Sequence, residues 1–401
     1  MGENNKKILL LGGSYGQIPA IEEAKKRGLT TILCDYLPNN PGRALVDQYY
    51  EVSTTDKEAV LKIAQNHQVD AVLAYASDPA AVTQAYISEM LGLQGNSEES
   101  ISLLSNKNKF RNFQQENNFN VPAFFSLSAD QFHRLDSLNI DFPVFVKPVD
   151  ASDSKGVFKV DSLKELKEKA VIALSFSRSR RIIVEENIKA EGGVLHGDAF
   201  FDDGEMVFCM LGDQIFYSEV NPLKPVSTLY PSRYPKSGIS YIEGEVARII
   251  RKSGFMNGPV NIEVRVGEGG LIYIMEIGPR SGGDLTPEAI HYCSGFDMLH
   301  STYEFLFSTP IVVKNHQGYP TILYSLHSNK ASIFKGFDWN VDLKPFIKKL
   351  YLYVKPGDYI KPFSESGSTI GVLILTFPDF NVADKYLNTL YETIQASIKL
   401  R

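Results

Sequence analysis

The stretch PVNIEVRVGEGGLIYIMEIGPRSGG, residues 259–283, decides the fold of this chain. Residues 267–270, Gly-Glu-Gly-Gly, are a turn signal between two runs rich in β-branched and apolar residues. Such a pattern predicts a β-hairpin. Each predicted strand carries one carboxylate, Glu263 on the first and Glu276 on the second.

The register of this hairpin decides which of its side chains meet. A four-residue loop would place Asn261 opposite Glu276 and make Glu263 a diagonal neighbour of Glu276, about 7–8 Å away. Because side chains alternate across a strand, one face is predicted to hold Asn261, Glu263, Arg265, Ile272, Ile274 and Glu276, and the other Val264, Val266, Leu271, Tyr273, Met275 and Ile277. Two like charges in a buried hairpin repel and are costly to desolvate unless a cation lies between them. The hairpin therefore predicts a metal site.

The composition is that of a globular protein with two or three domains. The chain has 401 residues, of which 43% are hydrophobic and 22% charged, and its net charge is −6. This balance lacks the broad basic surface that nucleic acid or an anionic membrane requires. Cys34, Cys209 and Cys293 are widely spaced and odd in number, which favours reduced thiols in a cytoplasmic protein. The apolar run near the N-terminus is too short for a signal peptide.

The first 95 or so residues alternate short apolar strands with helical patterns. KILLL, a glycine loop at residues 12–16, a helical stretch and TTILCD form a βαβ start, and two further units follow. The pattern predicts a small doubly wound α/β domain. The glycine loop, with Asp35 19 residues beyond Gly16, is compatible with a dinucleotide site or with a plain strand-to-helix turn.

The middle of the chain carries several polar features on predicted elements. Residues 102–119 are predicted to be one helix whose Lys107, Lys109 and Arg111 form a solvated face. Lys147 lies on an otherwise apolar strand and needs an anionic partner. The small polar loop 150–156 follows it and is able to present backbone N–H groups to phosphates. The proline-rich region 218–238, which includes Arg233, is predicted to be a functional loop or lid.

Several of these features occur in an order that resembles the ATP-grasp superfamily of carboxylate-amine ligases, with the architecture of biotin carboxylase and carbamoyl-phosphate synthase. The motifs are NKNKFR with Lys107, FPVFVKPVDASDSKGV with Lys147, IIVEENI with Glu185, and NIEV followed by IYIMEIGPRSGG. The resemblance covers nearly the full length. It implies mixed α/β and α+β structure, with a pre-ATP-grasp domain at 1–100, an ATP-grasp domain at 101–310 with lobes at 101–182 and 183–310, and a C-terminal cap at 311–401.

The resemblance also implies roles for individual residues. ATP would be bound by Lys107, Lys147, Ser152, Ser154, Gly156, Glu185, Glu186, Ile188 and Glu191. Mg²⁺ would be held by Glu263 and Glu276, and Arg280 would hold the carboxylate or the acyl phosphate. The family often has an asparagine where this chain has Gly278. We expect Asn261, predicted to lie opposite Glu276, to supply the missing oxygen.

The implied activity is ATP-dependent, ADP-forming ligation of a small carboxylate to a small amine through an acyl phosphate. His196 and His291 are candidate general bases, although a structural role is the simpler interpretation of each. Two rival functions stay open: a non-catalytic or regulatory ATP-binding protein, and a nicotinamide-dependent oxidoreductase that uses the N-terminal glycine loop. A homodimer is compatible with the resemblance. The identities of the acid and the amine do not follow from the sequence.

Overall fold

A parallel four-stranded sheet forms the N-terminal part of the molecule. The computed structural model describes residues 6–152, 155–217, 224–313, 318–363 and 368–401. The first part contains β1 (Lys7–Leu11), α1 (Ile18–Lys26), β2 (Thr30–Asp35), β3 (Gln48–Glu51), α2 (Lys57–His67), β4 (Ala71–Leu73) and α3 (Asp78–Leu91). The strand order is β3-β2-β1-β4, and all pairs are parallel. One face packs against α2 and α3 and the other against α1, which confirms the predicted doubly wound domain.

Two helices and a second small sheet follow. These elements are α4 (Glu98–Ser105), α5 (Lys107–Glu116), β5 (Phe124–Ser128), β6 (Val144–Pro148), β7 (Phe158–Val160), α6 (Leu163–Phe176) and β8 (Arg181–Glu186). The prediction of a single helix over 102–119 is wrong, because the helical structure is interrupted at Asn106. The Asn106 side chain accepts from the backbone N–H groups of Asn108 and Lys109 and so starts α5 as an N-cap. This break places Lys107 in the first turn of α5.

An eight-stranded sheet forms the rest of the core. Its neighbourhood contains β9 (Gly193–Asp202), β10 (Glu205–Ile215), β11 (Ser227–Tyr230), α7 (Lys236–Ser253), β12 (Gly258–Val266), β13 (Ile272–Gly278), α8 (Thr286–Ser294), α9 (Met298–Leu306), β14 (Thr321–Leu326), β15 (Ser332–Phe337), β16 (Ile347–Leu352), β17 (Tyr359–Ile360), β18 (Gly371–Thr376), α10 (Phe380–Leu387), α11 (Leu390–Ser397) and β19 (Ile398–Leu400). The order is β13-β12-β9-β10-β11-β14-β18-β16. The predicted hairpin β12–β13 is therefore at one edge of this sheet.

The large sheet revises two expectations. The segment 218–238 is not a plain lid, since Ser227–Tyr230 is strand β11 inside the sheet and α7 begins at Lys236; residues 218–223 lie outside the described ranges. The sequence near 383–399 has the apolar spacing that predicts one amphipathic helix, whereas the structure has two helices and a short strand there. The region beyond 311 adds β14, β18 and β16 to the same sheet, so the domain limits drawn from the sequence remain predictions.

Candidate active site

The β12–β13 hairpin has a different register from the predicted one. Val266 pairs with Ile272, and a bulge at Met275 then shifts the pairing so that Glu263 lies directly opposite Glu276. A short 3₁₀ turn at Glu268–Gly270 and the extra bulge residue account for the shift. Ile272 and Ile274 consequently join the buried apolar face, whereas Tyr273 pairs with Arg265 on the other face. The two glutamates are thus direct cross-strand neighbours rather than diagonal ones.

Three cationic side chains act on Glu276, the second carboxylate of this pair. The Lys107 Nζ lies 3.4 Å from Oε2 of Glu276 and donates to the carbonyl of Ala151 at 3.2 Å. Burial opposes ionisation of Glu276, but the charges of Lys107, Arg280 and Lys147 outweigh it and lower the pKa of Glu276. Glu276 is therefore a carboxylate at neutral pH, with its charge balanced by the cations that the sequence predicted nearby.

Glu185 lies at the centre of a buried charge network. Its carboxylate accepts from Nζ of Lys147 at 2.6 Å and from Nε of Arg111 at 2.8 Å. The side chain is 1% exposed. Although burial opposes its charge, Arg111 and Lys147 lower the pKa of Glu185 to about 2. The anionic partner that Lys147 requires is thus Glu185, and strand β8 turns this side chain toward the lysine.

Arg111 is a buried structural cation, so the prediction that it lies on a solvated face is wrong. Besides Glu185, it donates to Oε1 of Gln114 and to the carbonyl of Met275, each at 2.8 Å. Gln114 donates in turn to the carbonyl of Ile274. These side chains satisfy carbonyls on the free edge of β13, where no further strand pairs. Lys109, in contrast, is exposed.

The predicted nucleotide-binding segments lie beside this network. Ser152 is half-buried and accepts a backbone bond from Lys155, and Gly156 has a φ of +71° with a Cβ position 2.8 Å from the Phe176 ring. Ser154 lies outside the described residues. Just after β8, the carbonyl of Ile188 accepts a hydrogen bond from Nη1 of Arg265 at 3.3 Å. These placements leave the nucleotide roles of the segments as predictions.

Two of the predicted nucleotide ligands are exposed. The Glu186 side chain accepts from the backbone N–H of Ala123 at 3.1 Å, which occupies it at the edge of the first-lobe sheet. Glu191 is in a turn just before β9 and is exposed. Neither side chain contacts the Glu185 network in the described structure, so their roles also stay predictions.

Asn261 pairs with Gly278, so the expectation that it faces Glu276 is wrong. Its amide nitrogen donates to Oδ1 of Asp198 at 2.8 Å and to the carbonyl of Gly197 at 3.0 Å, and lies 2.9 Å from Nε2 of His196. The amide is thus engaged by strand β9. Its predicted role as a metal ligand is untested.

Asp198 is a site residue that sequence reasoning missed. Its carboxylate is fully buried and accepts from the backbone N–H of Gly282 at 2.9 Å. Burial raises the pKa of Asp198 to about 6, against the opposing effect of its hydrogen bonds. The available signal was the alternation in HGDAFF, which places His196 and Asp198 on one face of a strand. Asp198 holds the loop that carries Arg280.

Arg280 is anchored by the N-terminal domain. Its Nη2 donates to Oδ2 of Asp78 at 2.8 Å, and its Nη1 donates to the carbonyl of Ser281 at 3.0 Å. In the described part of the chain, Nε of Arg280, Oδ1 of Asp78, Oγ of Ser281 and Oη of Tyr75 are buried without hydrogen-bond partners. Buried polar atoms without partners are rare, and here they gather beside the predicted carboxylate-binding arginine.

The remaining candidates lie apart or serve the fold. Burial lowers the pKa of His196 to about 4, and His291 is exposed on α8. Arg233 pairs with Asp384 at 2.5 Å. Both carboxylate oxygens of Asp35 accept backbone N–H groups, from Gly13 and Leu37. Asp35 therefore closes the glycine loop as a strand-to-helix turn, which does not favour the dinucleotide interpretation.

Comparison with known proteins finds similarity in sequence and in fold. A family model described as an ATP-grasp domain matches residues 140–288. The carbamoyl phosphate synthase large chain of Thermoanaerobacter pseudethanolicus is 25% identical over 277 residues, 67% of this chain and 25% of that protein. An L-amino acid ligase from Bacillus licheniformis has a TM-score of 0.81 at 19% identity, covering 97% of this chain and 98% of the other. The N5-carboxyaminoimidazole synthetase from Staphylococcus aureus, solved with ADP, has a TM-score of 0.74 at 15% identity and covers 98% and 99%.

The structure is mixed α/β, as the sequence predicted. Residues 140–288 match the ATP-grasp domain model, which agrees with the sequence motifs. The structure of the Staphylococcus aureus synthetase contains ADP, and the similar biotin carboxylase domain of the Hydrogenobacter thermophilus 2-oxoglutarate carboxylase was solved with MgADP. The chain spans about a quarter of the length of the carbamoyl phosphate synthase relative. Within the residues that the structure describes, every helix is too short or too polar to cross a membrane.

Proposed function

We propose that this protein is an ATP-dependent, ADP-forming ligase that joins a small carboxylate to a small amine through an acyl phosphate. The observation that carries the proposal is the direct pairing of Glu263 with Glu276 on a face bordered by Lys107 and Arg280. Two carboxylates among fixed cations suit a metal-bound polyphosphate better than any ligand without charge. The match of residues 140–288 to the ATP-grasp domain model supports the same ligase chemistry.

The donor set fits Mg²⁺ carried on ATP. Mg²⁺ takes oxygen ligands and is commonly bound by one or two carboxylates together with substrate phosphates. Glu263 and Glu276 provide two such carboxylates. Among the described residues, no three acidic, histidine or cysteine side chains form a metal site by themselves, so phosphate oxygens would complete the shell. When bound, the ion would neutralise charge on the phosphates.

The chain's own cations would hold the nucleotide. Lys107 and Lys147 lie on α5 and β6, on either side of Glu185, which fixes Lys147 by a 2.6 Å bond. Both lysines are 16% exposed, so their charges face a partly desolvated cleft. In such a cleft a positive charge stabilises developing negative charge more strongly than it does in water. Ser152 and Gly156 would contact the phosphates from the loop, and the Glu185–Ile188 strand would border the adenine.

The reaction has two steps that the site would support. A carboxylate oxygen attacks the γ-phosphorus of ATP, ADP leaves, and an acyl phosphate forms. The amine nitrogen then attacks the acyl carbon, inorganic phosphate leaves, and the nitrogen loses a proton. Arg280 would bind the carboxylate and then the acyl phosphate, because only two of the five N–H donors of its guanidinium are engaged in the described structure.

The test is carboxylate-dependent release of ADP. The full chain would be incubated with ATP, Mg²⁺ and a panel of small acids, including L-amino acids, with hydroxylamine as a general nucleophile. An active acid yields ADP and an acyl hydroxamate in equal amounts, and Glu276→Gln lowers both at a Mg²⁺ concentration that is half-saturating for the wild type. ATP binding without ADP release for any acid and amine would instead identify a non-catalytic nucleotide-binding protein.

A further inference from the structure

The position where the family often has an asparagine is filled here from a different domain. A Cβ built on Gly278 would lie 2.8 Å from Oδ1 of Asp78 and 3.1 Å from Cζ of Arg280. Gly278 lies two residues beyond Glu276 on β13, across from Asn261, so this space is on the charged face of the hairpin. The missing side chain therefore makes room for a carboxylate that is 200 residues away in the sequence.

The turn after β4 brings Asp78 to this space. Ala76 has a φ of +54°, a left-handed conformation that costs free energy for a residue with a side chain. Asp78 then begins α3, where an acidic side chain also interacts favourably with the helix dipole. The side chain is 14% exposed, and its partner Arg280 is 12% exposed. Because the ion pair is partly buried and Asp78 follows a strained turn, the two side chains are held in a defined orientation, unlike those of an exposed surface ion pair.

The ion pair between Asp78 and Arg280 engages one carboxylate oxygen of Asp78 and leaves several N–H donors of Arg280 without a partner. Asp78 engages Nη2 of Arg280 through Oδ2, and the carbonyl of Ser281 engages Nη1. Within the described ranges the guanidinium makes these two hydrogen bonds, and its Nε is buried without a partner. Two bonds to a planar guanidinium fix its plane. A guanidinium has five N–H donors, so the plane so fixed leaves three of them, one each on Nε, Nη1 and Nη2, to bind an anion.

We propose that Asp78 is a positioning residue for Arg280, and that Gly278 is the residue whose small size permits this contact. The N-terminal domain would thereby complete the anion-binding part of the site without touching the substrate. This inference rests on the proposed function, in which Arg280 binds the carboxylate and the acyl phosphate. It predicts that changes at Asp78 act on anion binding through orientation and leave nucleotide binding unaltered.

The test measures binding of an anion without needing the natural acid. Inorganic phosphate is titrated calorimetrically into the full chain saturated with Mg·ADP, and Mg·ADP affinity is measured separately. For Asp78→Ala we expect phosphate affinity to fall about tenfold, the effect of losing one charge-assisted hydrogen bond. Asp78→Asn retains an acceptor oxygen in the same place, so its phosphate affinity should stay within about threefold of the wild type. Mg·ADP affinity should be the same in all three proteins.

Gly278→Ala provides a second, independent variant. Its added methyl group would displace Asp78 or Arg280, so it should weaken phosphate binding in the wild type and have little further effect in Asp78→Ala. Gly283→Ala is the matched control, because a Cβ there meets no atom within 4 Å. Glu304→Gln is the control for domain contact, since it breaks the 2.8 Å ion pair between Arg27 on α1 and Glu304 on α9. Neither control should change phosphate affinity.

The outcomes separate this inference from the function on which it rests. If Arg280→Ala binds phosphate as well as the wild type does, the proposed role of Arg280 is wrong. If Arg280→Ala weakens binding but Asp78→Ala does not, the function stands and the positioning role is overturned. Equal losses in Asp78→Asn and Asp78→Ala would also overturn it, because they would show an effect of charge rather than of orientation.

Discussion

Glu263 lies directly opposite Glu276 in the antiparallel pair β12–β13, at the edge of the eight-stranded sheet. Like charges that face each other across two strands destabilise the pair. Lys107 and Arg280 offset part of this repulsion by their position near Glu276. We therefore expect a divalent cation between the two carboxylates to make the arrangement more favourable, and the stability of the hairpin to depend on Mg²⁺.

Removing either hairpin carboxylate should separate stability from metal dependence. In Glu263→Gln and Glu276→Gln, the Mg²⁺ concentration for half-maximal ADP release should rise at least about tenfold, since each loses one of two protein ligands. Without Mg²⁺, the melting temperature of Glu263→Gln should stay equal or rise because the repulsion is relieved, whereas that of Glu276→Gln should fall because this variant also loses the ion pair with Lys107. Glu268→Gln, in the exposed turn of the same hairpin, should match the wild type. Equal Mg²⁺ requirements in all four proteins would refute the metal assignment.

The buried arginine should matter for stability more than its neighbour on the same helix. Arg111→Met leaves Glu185 with one cation and leaves the Met275 carbonyl without its donor. Breaking a buried ion pair in this way costs about 3–5 kcal/mol. Lys109→Met on the exposed side of α5 should cost within about 0.5 kcal/mol. Urea unfolding of the two variants measures the difference, and similar unfolding midpoints would contradict the network described for Arg111.

Glu185 should contribute to acid sensitivity. Its pKa is lowered from 4.5 to about 2 in the folded protein, so its stabilising contribution is present above pH 4.5 and is lost as the pH falls toward 2. Between pH 5 and pH 3 this group alone should remove about 2 kcal/mol of the free energy of unfolding. Glu185→Gln should be less stable at pH 7 but should lack this part of the pH dependence. Parallel stability curves for the two proteins from pH 5 to pH 3 would rule out the lowered pKa.

His196 should not act as the general base. Burial lowers the pKa of His196 to about 4, and its Nε2 lies 2.9 Å from the Asn261 amide nitrogen. A neutral imidazole whose lone pair is already engaged is a structural group. We expect His196→Asn to keep kcat within about tenfold, because a lost general base costs about a hundredfold or more. The pH profile of ADP release between pH 5 and 9 should keep its shape; loss of one limb would restore His196 as a candidate.

Local patterns in the sequence predicted much of this fold. The alternation in β12 and β13 predicted the hairpin and placed Glu263 and Glu276 on it, and the apolar strand around Lys147 predicted an anionic partner. The predicted register is wrong by one residue near the turn and by two residues beyond the bulge, because neither the bulge at Met275 nor the 3₁₀ turn at Glu268–Gly270 has a clear signal in the residues themselves.

The missed site residues depend on contacts between distant segments. Arg111 was assigned to a solvated face because the carbonyls on the edge of β13 that it satisfies lie more than 160 residues away. Asp78 meets Arg280 across 202 residues, and nothing near Asp78 in the sequence indicates that pairing. Such contacts are set by how the domains pack, which local periodicity does not encode.

In the proposed reaction, the site activates a carboxylate by phosphorylation. The most direct measurement uses an acid that supports ADP release, labelled with ¹⁸O in its carboxylate, together with ATP, Mg²⁺ and an amine. Mass spectrometry of the released inorganic phosphate should show one ¹⁸O atom for each turnover, because the acyl phosphate carries the acid's oxygen to phosphorus. Phosphate that forms together with ADP but without the label would contradict the claim.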